Sequence, residues 1–124
     1  MQPPSQTLLS EAKPALRARL EQRGGLLLCL DFDGTLAPIA DSPETPTITP
    51  PNERALHHLR AHPQLRIAII SGRELSDLVS RVGIPAITYA GNHGLELDAG
   101  DGVVVHPTAP RQKPAIQRAA SILE

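Results

Sequence analysis

Alternating strand-like and helix-like segments predict an α/β fold built on a parallel sheet, and three observations carry that prediction. The runs at 26–30 and 66–70 are strand-length and lack apolar/polar alternation, the pattern of strands buried on both faces. Helical periodicity fills the intervals, giving the order helix, strand, loop, helix, strand, helix, strand, which is two successive βαβ units. Each strand run also ends in a polar, glycine-containing cluster, and in an open parallel sheet ligands bind outside the carboxyl ends of the strands.

Residues 1–5 read as a frayed end. From Leu8 onward, Leu9, Ala12, Leu16 and Leu20 recur at helical steps, Pro14 either kinks this helix or sits in its first turn after Ser10, and Arg23, Gly24 and Gly25 end it. The first strand, 26–30, is followed by a loop, because five prolines fall between 38 and 51 in a chain with 13 in all, about twice the usual share. Thr49, Pro50 and Pro51 start a helix with Ala55, Leu56 and Leu59 as its apolar stripe. After the second strand, Leu75, Leu78, Val79 and Val82 mark a helix that Gly83 and Pro85 close. The third strand is 86–90, closed by Gly91. Segments 95–97 and 103–105 flank turn chemistry at 98–102 and read as a hairpin, and 114–124 begins another helix.

The chain has 124 residues and a mass of 13.3 kDa, the size of one domain or part of a larger one. A hydrophobic share of 40% excludes a disordered chain. Twelve basic against 13 acidic residues leave a net charge of -1, which lacks the basic footprint a nucleic-acid binder needs. Phe32 and Tyr89 are the only aromatics, too few for base-stacking or carbohydrate-stacking platforms. The N-terminal residues have no basic segment leading into an apolar one, and no run approaches membrane-spanning length, so a cytoplasmic protein with no membrane partner is expected. Cys29 is the single cysteine and cannot form an internal disulfide; its leucine neighbours indicate a buried thiol.

The first polar cluster is Asp31-Phe32-Asp33-Gly34-Thr35. Two carboxylates two residues apart at the mouth of a strand suit a hard divalent cation such as Mg²⁺, with one carboxylate as nucleophile and the other as general acid and base. The same pattern also fits an Asx-type turn that caps the strand. Ser71, Gly72 and Arg73 read either as a helix N-cap or as a phosphate cradle at that helix N-terminus. Asn92, His93 and Gly94 alone are a polar turn. His57, His58 and His62 lack partners at ligand spacing and read as a solvated helix face.

Taken together, DFDGTLAPI after the first strand and ISGR after the second resemble motifs I and II of the haloacid-dehalogenase-like phosphohydrolases. YAGNHGLEL after the third strand narrows this to a resemblance to the trehalose-6-phosphate phosphatase family, and the likeness runs from about Leu27 to Leu97. The resemblance implies a Rossmann-like parallel sheet of that superfamily's type, incomplete, with about three core strands and a terminal hairpin. It implies three segments: an N-terminal helix over 1–24, the N-terminal part of the core domain over 25–97, and a hairpin with the start of a cap over 98–124.

The resemblance further implies a Mg²⁺-dependent phosphatase acting on a small sugar phosphate. Asp31 would be nucleophile and metal ligand. Asp33 would be acid and base, and would ligate the metal through its carbonyl. Thr35 and Ser71 would hold the phosphoryl group, Gly72 and Arg73 would line the pocket, and Asn92, His93 and Glu96 would contact substrate or cap. The family's phosphate-binding lysine and later metal carboxylates follow a cap beyond the third strand. Here Lys13 and Lys113 are the only lysines and neither follows a late strand, so the expectation is an N-terminal portion that is poorly stable and nearly inactive alone, with 26–30 an exposed apolar edge. The alternatives are a phosphatase of similar plan for another sugar phosphate, such as sucrose phosphate or mannosyl phosphoglycerate, and a non-catalytic remnant that binds a partner.

Overall fold

The structure is a computed structural model that describes residues 9–22 and 24–123. The expected frayed stretch 1–5, the helix start at Leu8, Arg23 of the stop signal and the terminal Glu124 lie outside the described residues. Helix α1 is Leu9–Glu21 and keeps Pro14 inside, beyond its first turn. Strand β1 is Leu26–Asp31, α2 is Pro50–Arg60, β2 is Leu65–Ile70, α3 is Leu75–Val82 and β3 is Thr88–Gly91. A short 3₁₀ turn, Asn92–Gly94, leads into β4, Glu96–Asp98; β5 is Val103–Val105 and α4 is Thr108–Leu123.

The five strands form one sheet in the order β1-β2-β3-β4-β5. The first three pair in parallel, as two βαβ units require, and the β4–β5 hairpin adds to β3 in the antiparallel sense, so the sheet is mixed. The register aligns Asp31 with Ile70 and Ile70 with Ala90, so the three parallel strands end in one row, and antiparallel pairing then sets Glu96 opposite Gly91. The core gathers Ile67 and Ile69 of β2, Leu56 of α2, Leu75, Leu78 and Val82 of α3, and Phe32 and Leu36 of the turn after β1. The two aromatics are both core residues, Phe32 at 0% and Tyr89 at 4% exposure, which fits the absence of a stacking platform.

Several sequence expectations change. Strand β1 is not buried on both faces. Leu26, Leu28 and Leu30 are half-buried against the core, while Leu27 and Cys29 are exposed, because β1 is the edge strand and only one face is covered. The exposed apolar edge agrees with expectation, whereas the Cys29 thiol, expected to be buried, is exposed. The third strand starts at Thr88 rather than at Ala86, whose φ of 61° is left-handed and incompatible with extended backbone. Helix α4 starts at Thr108 rather than at 114: the His106 ring accepts the Thr108 N–H at 3.2 Å and opens the helix there, leaving Pro114 inside it. In α2, Leu56 is buried while Ala55 is exposed, which narrows the expected stripe.

Tyr89 is buried with its hydroxyl satisfied twice. It donates to the Ile84 carbonyl at 2.6 Å and accepts from the Ile84 N–H at 3.1 Å, tying β3 to the segment that follows α3. Burial raises its pKa, with the Ile84 bond opposing. Tyr89→Phe strips both partners and is expected to cost about 1–3 kcal/mol in urea unfolding. At the sheet edge, Leu27→Lys is expected to lower light scattering on warming without shifting the unfolding midpoint by more than about 0.5 kcal/mol. Unchanged scattering would mean that β1 is not the surface through which the chain associates.

Candidate active site at the strand ends

Directly after β1 the chain turns around one acceptor. The Phe32 carbonyl receives the N–H groups of Thr35, Leu36 and Ala37 at 3.3, 3.0 and 3.0 Å, and Gly34 takes the positive φ of 79° that this turn needs. Phe32 points into the core, so Asp31 and Asp33 on either side of it are left toward the rim; Asp31 is exposed and Asp33 half-buried. Asn52 of α2 anchors the turn from outside, its Nδ2 donating to the carbonyls of Leu36 at 3.0 Å and Thr35 at 3.3 Å.

The Asp33 carboxylate does not cap this turn. Among the described residues its hydrogen bonds all come from Arg73, 40 residues away. Nη2 donates to Oδ1 at 2.7 Å, and Nε donates to Oδ2 at 2.9 Å and Oδ1 at 3.2 Å. The Arg73 guanidinium also stands over the Phe32 ring, 5.6 Å from its centroid. Its Nη1 reaches the Pro43 carbonyl at 2.7 Å and Asp77 Oδ2 at 3.1 Å. The hydrogen bond to Asp33 raises the Arg73 pKa, with partial desolvation opposing. Asp77 is held below the usual carboxylate range, first by Arg81 and then by Arg73, again with desolvation opposing.

Ser71, at the end of β2, is 5% exposed and is not the helix N-cap: α3 begins at Leu75 with Glu74 in the cap position. The serine hydroxyl instead accepts the Arg73 N–H at 3.2 Å, an ST-type turn that brings Arg73 back toward β1. The α3 N-terminus is served from across the sheet, where Glu96 Oε2 accepts the Leu75 N–H at 3.2 Å. The same oxygen accepts Asn92 Nδ2 at 2.7 Å, so Asn92 and Glu96 form a pair that closes the rim. The Asn92 N–H donates to the Arg73 carbonyl at 2.6 Å and the His93 N–H to the Ser71 carbonyl at 3.0 Å. Asn92 and His93 both take left-handed φ, 48° and 57°, a strained pair of the kind found at functional turns. The His93 ring lies over Gly72, where an added Cβ would come within 2.5 Å of Cε1.

The rim thus joins Asp33 to Arg73, Ser71 to Arg73, Gly72 to His93 and Asn92 to both Arg73 and Glu96, with Asp31 at the end of β1 in the same row. The Thr35 backbone is tied into the turn itself, its N–H to the Phe32 carbonyl and its carbonyl to Asn52. A cavity of about 870 Å³ opens beside the rim, lined by Asn92, His93, Glu96, Glu74 and, from α4, Lys113 and Gln117. Asp77 and Arg81 were not singled out from the sequence, where only their four-residue spacing from Arg73 marks them, and Lys113 was weighed there only as a lysine that follows no late strand.

Two protein oxygen donors, the exposed Asp31 carboxylate and the Asp33 carbonyl, suit Mg²⁺, which keeps several waters and takes few protein ligands. Among the described residues no third carboxylate, histidine or cysteine completes a denser metal cluster, and His57, His58 and His62 form none. Among them, too, no helix is long and apolar enough to cross a membrane.

Comparison with known proteins agrees on one family. A family model described as trehalose-phosphatase matches residues 29–124. The trehalose-phosphate phosphatase of Mycobacterium ulcerans is 42% identical over 121 residues, 93% of this chain and 30% of that protein. The Mycobacterium tuberculosis relative is 49% identical over 72 residues, 58% of this chain and 18% of that protein. The solved C-terminal domain of Candida albicans trehalose-6-phosphate phosphatase superposes with a TM-score of 0.68 at 28% identity, over 78% of this chain and 34% of that one. The chain therefore spans about a third of the length of the first curated relatives it matches.

The two rim glycines make opposite predictions. A Cβ at Gly91 would meet the Leu75 backbone at 2.6 Å, which cannot swing away, so Gly91→Ala is expected to cost about 1–3 kcal/mol in denaturant unfolding. At Gly72 the obstacle is a mobile ring tip. Gly72→Ala is expected to cost under about 1 kcal/mol and to shift the His93 ring resonances in NMR.

Proposed function

The chain belongs to the trehalose-phosphatase family, and we propose that its strand-end rim carries the nucleophile and the acid/base of a phosphatase that hydrolyses trehalose 6-phosphate to trehalose and phosphate. The observation that carries this reading is an exposed Asp31, with no hydrogen-bond partner for its side chain among the described residues, beside an Asp33 fixed by Arg73, two residues apart at one strand end.

On this reading an Asp31 carboxylate oxygen attacks phosphorus, the phosphorus–oxygen bond to the sugar breaks, and Asp33 delivers a proton to the departing sugar oxygen. The phosphoryl group then rests on Asp31. Asp33, now deprotonated, takes a proton from a water that attacks the same phosphorus, releasing phosphate and restoring the Asp31 carboxylate. Both Asp33 oxygens accept from the Arg73 fork, which orients the carboxyl group at the strand end. Asp31 and the Asp33 carbonyl would hold Mg²⁺, which when bound supplies positive charge against the phosphoryl oxygens.

Ser71 and Thr35 would receive the phosphoryl group, while Gly72, closely covered by the His93 ring, and Arg73 would line the pocket. The sugar would occupy the 870 Å³ cavity against Asn92, His93 and Glu96. Carboxylate and amide groups there suit hydroxyl recognition by hydrogen bonding. The exposed, unpaired Cys29 fits a reducing compartment, and we place the protein in the cytoplasm.

Phosphate release from trehalose 6-phosphate by the full-length protein with Mg²⁺ tests this reading. Asp31→Asn is expected to lower turnover by about 10³-fold or more, and chelating the metal is expected to abolish it. Retained turnover in Asp31→Asn refutes the nucleophile. Faster turnover of sucrose phosphate or mannosyl phosphoglycerate keeps the chemistry and reassigns the sugar.

A further inference from the structure

Arg73, Asp77 and Arg81 stand four residues apart, so they share one side of α3 and its leading turn. Asp77 lies between the two arginines. It accepts Arg73 Nη1 on Oδ2 at 3.1 Å, and Arg81 Nε on Oδ1 at 2.8 Å and Oδ2 at 2.9 Å. Both arginine side chains are 13% exposed. Each continues past Asp77 to something that does not belong to α3. Arg73 goes to Asp33 and the Pro43 carbonyl, and Arg81 Nη1 goes to the carbonyls of Glu44 at 2.9 Å and Pro46 at 2.7 Å. Without the central carboxylate, two largely buried guanidinium groups would face each other, Arg73 keeping only Asp33 and Arg81 no carboxylate partner among the described residues.

We propose that Asp77 is a positioning residue of the site. By bridging Arg73 and Arg81 it holds the Arg73 fork on Asp33 and fixes the 43–46 stretch of the loop against α3 as part of the same unit. Asp77 touches neither Asp31 nor Asp33; it acts through Arg73. Arg73 alone has a flexible stem and several acceptors in reach, so a second fixed anchor selects the orientation in which Nε and Nη2 meet the Asp33 carboxylate. Its bearing on turnover rests on the acid and base role proposed for Asp33.

The test uses the isosteric Asp77→Asn variant of the full-length protein, with Asp77→Glu as the conservative rescue and as a second variant should the first not fold. The direct readout is the Arg73 Nε–H signal in NMR. Exchange of that proton with water is expected to quicken about tenfold in Asp77→Asn and to recover in Asp77→Glu, while β2 amide shifts stay in place. Cleavage after Glu44 by a glutamate-specific protease is expected to quicken in parallel. Where turnover is measured, kcat is expected to fall about tenfold with KM within twofold, since no proposed substrate contact is removed. An unchanged Arg73 signal in a folded Asp77→Asn protein overturns the assignment whatever turnover does. A loosened Arg73 signal with turnover indifferent to Asp31→Asn upholds the positioning and overturns the functional reading instead.

Discussion

Parallel pairing is the constraint on which the rest depends. Strands that run the same way must all release the chain at the same edge, and the register of β1, β2 and β3 makes that edge a row through Asp31, Ile70 and Ala90. The backbone groups released there still need partners. The Phe32 carbonyl takes three N–H groups, the Ser71 N–H goes to the Ala90 carbonyl at 2.9 Å, and the Ser71 carbonyl takes the His93 N–H. These bonds hold the rim as a backbone platform, and the side chains that carry chemistry project from it. The reversal into β4 adds Glu96 to the same row, so a hairpin that looks peripheral in sequence supplies the cap of α3 and a wall of the cavity.

Charge at this rim is arranged with little to spare. Arg73 is the arginine nearest the two aspartates, and its donors are divided among Asp33, Asp77 and the Pro43 carbonyl. A phosphate ester arriving beside Asp31 would meet a carboxylate and an arginine whose positive charge is already engaged. Attack by one anion on another needs compensating charge at the phosphoryl oxygens. On the proposed reading a divalent cation on Asp31 and the Asp33 carbonyl would meet that need, and the exposed Asp31 carboxylate leaves space for it.

Strand β2, both βαβ units and the helix at Leu75–Val82 were legible in the sequence because each is written in local apolar spacing and followed by a glycine-containing stop. Two of the expectations that changed involve partners distant in sequence. A run such as 26–30 reads identically whether the strand is central or at an edge, so exposure of Leu27 and Cys29 is a fact about sheet order and invisible to periodicity. Ser71 carries an N-cap signature, yet the helix starts at Leu75 and its first N–H is met by Glu96, 21 residues on. At the site, motif matching brought forward Asp31, Asp33, Ser71 and Arg73 together, but the bond between Asp33 and Arg73 spans 40 residues and only the fold creates it. Asp77 and Arg81 carried a visible charge spacing whose consequence depends on where the loop lies.

The loop's proline content then has a physical reason in the same network. Each proline contributes a carbonyl acceptor and no N–H donor, so the segment 38–51 carries more acceptors than its own backbone can satisfy. Arginine is the complementary side chain, with five donors and no acceptor. Arg73 meets the Pro43 carbonyl, Arg81 meets those of Glu44 and Pro46, and the Asn52 amide meets those of Thr35 and Leu36 just before the loop. A loop without regular structure is thereby held at several points by side chains from α3 and its leading turn, and the turn before it by Asn52 of α2. Those helices can anchor it only because β1 and β2 lie side by side and bring the loop over α3. The acceptor-rich loop and the donor-rich arginines match as a pair: prolines replaced by residues with N–H groups would offer the loop internal partners, and the arginines would lose part of what orients them toward Asp33.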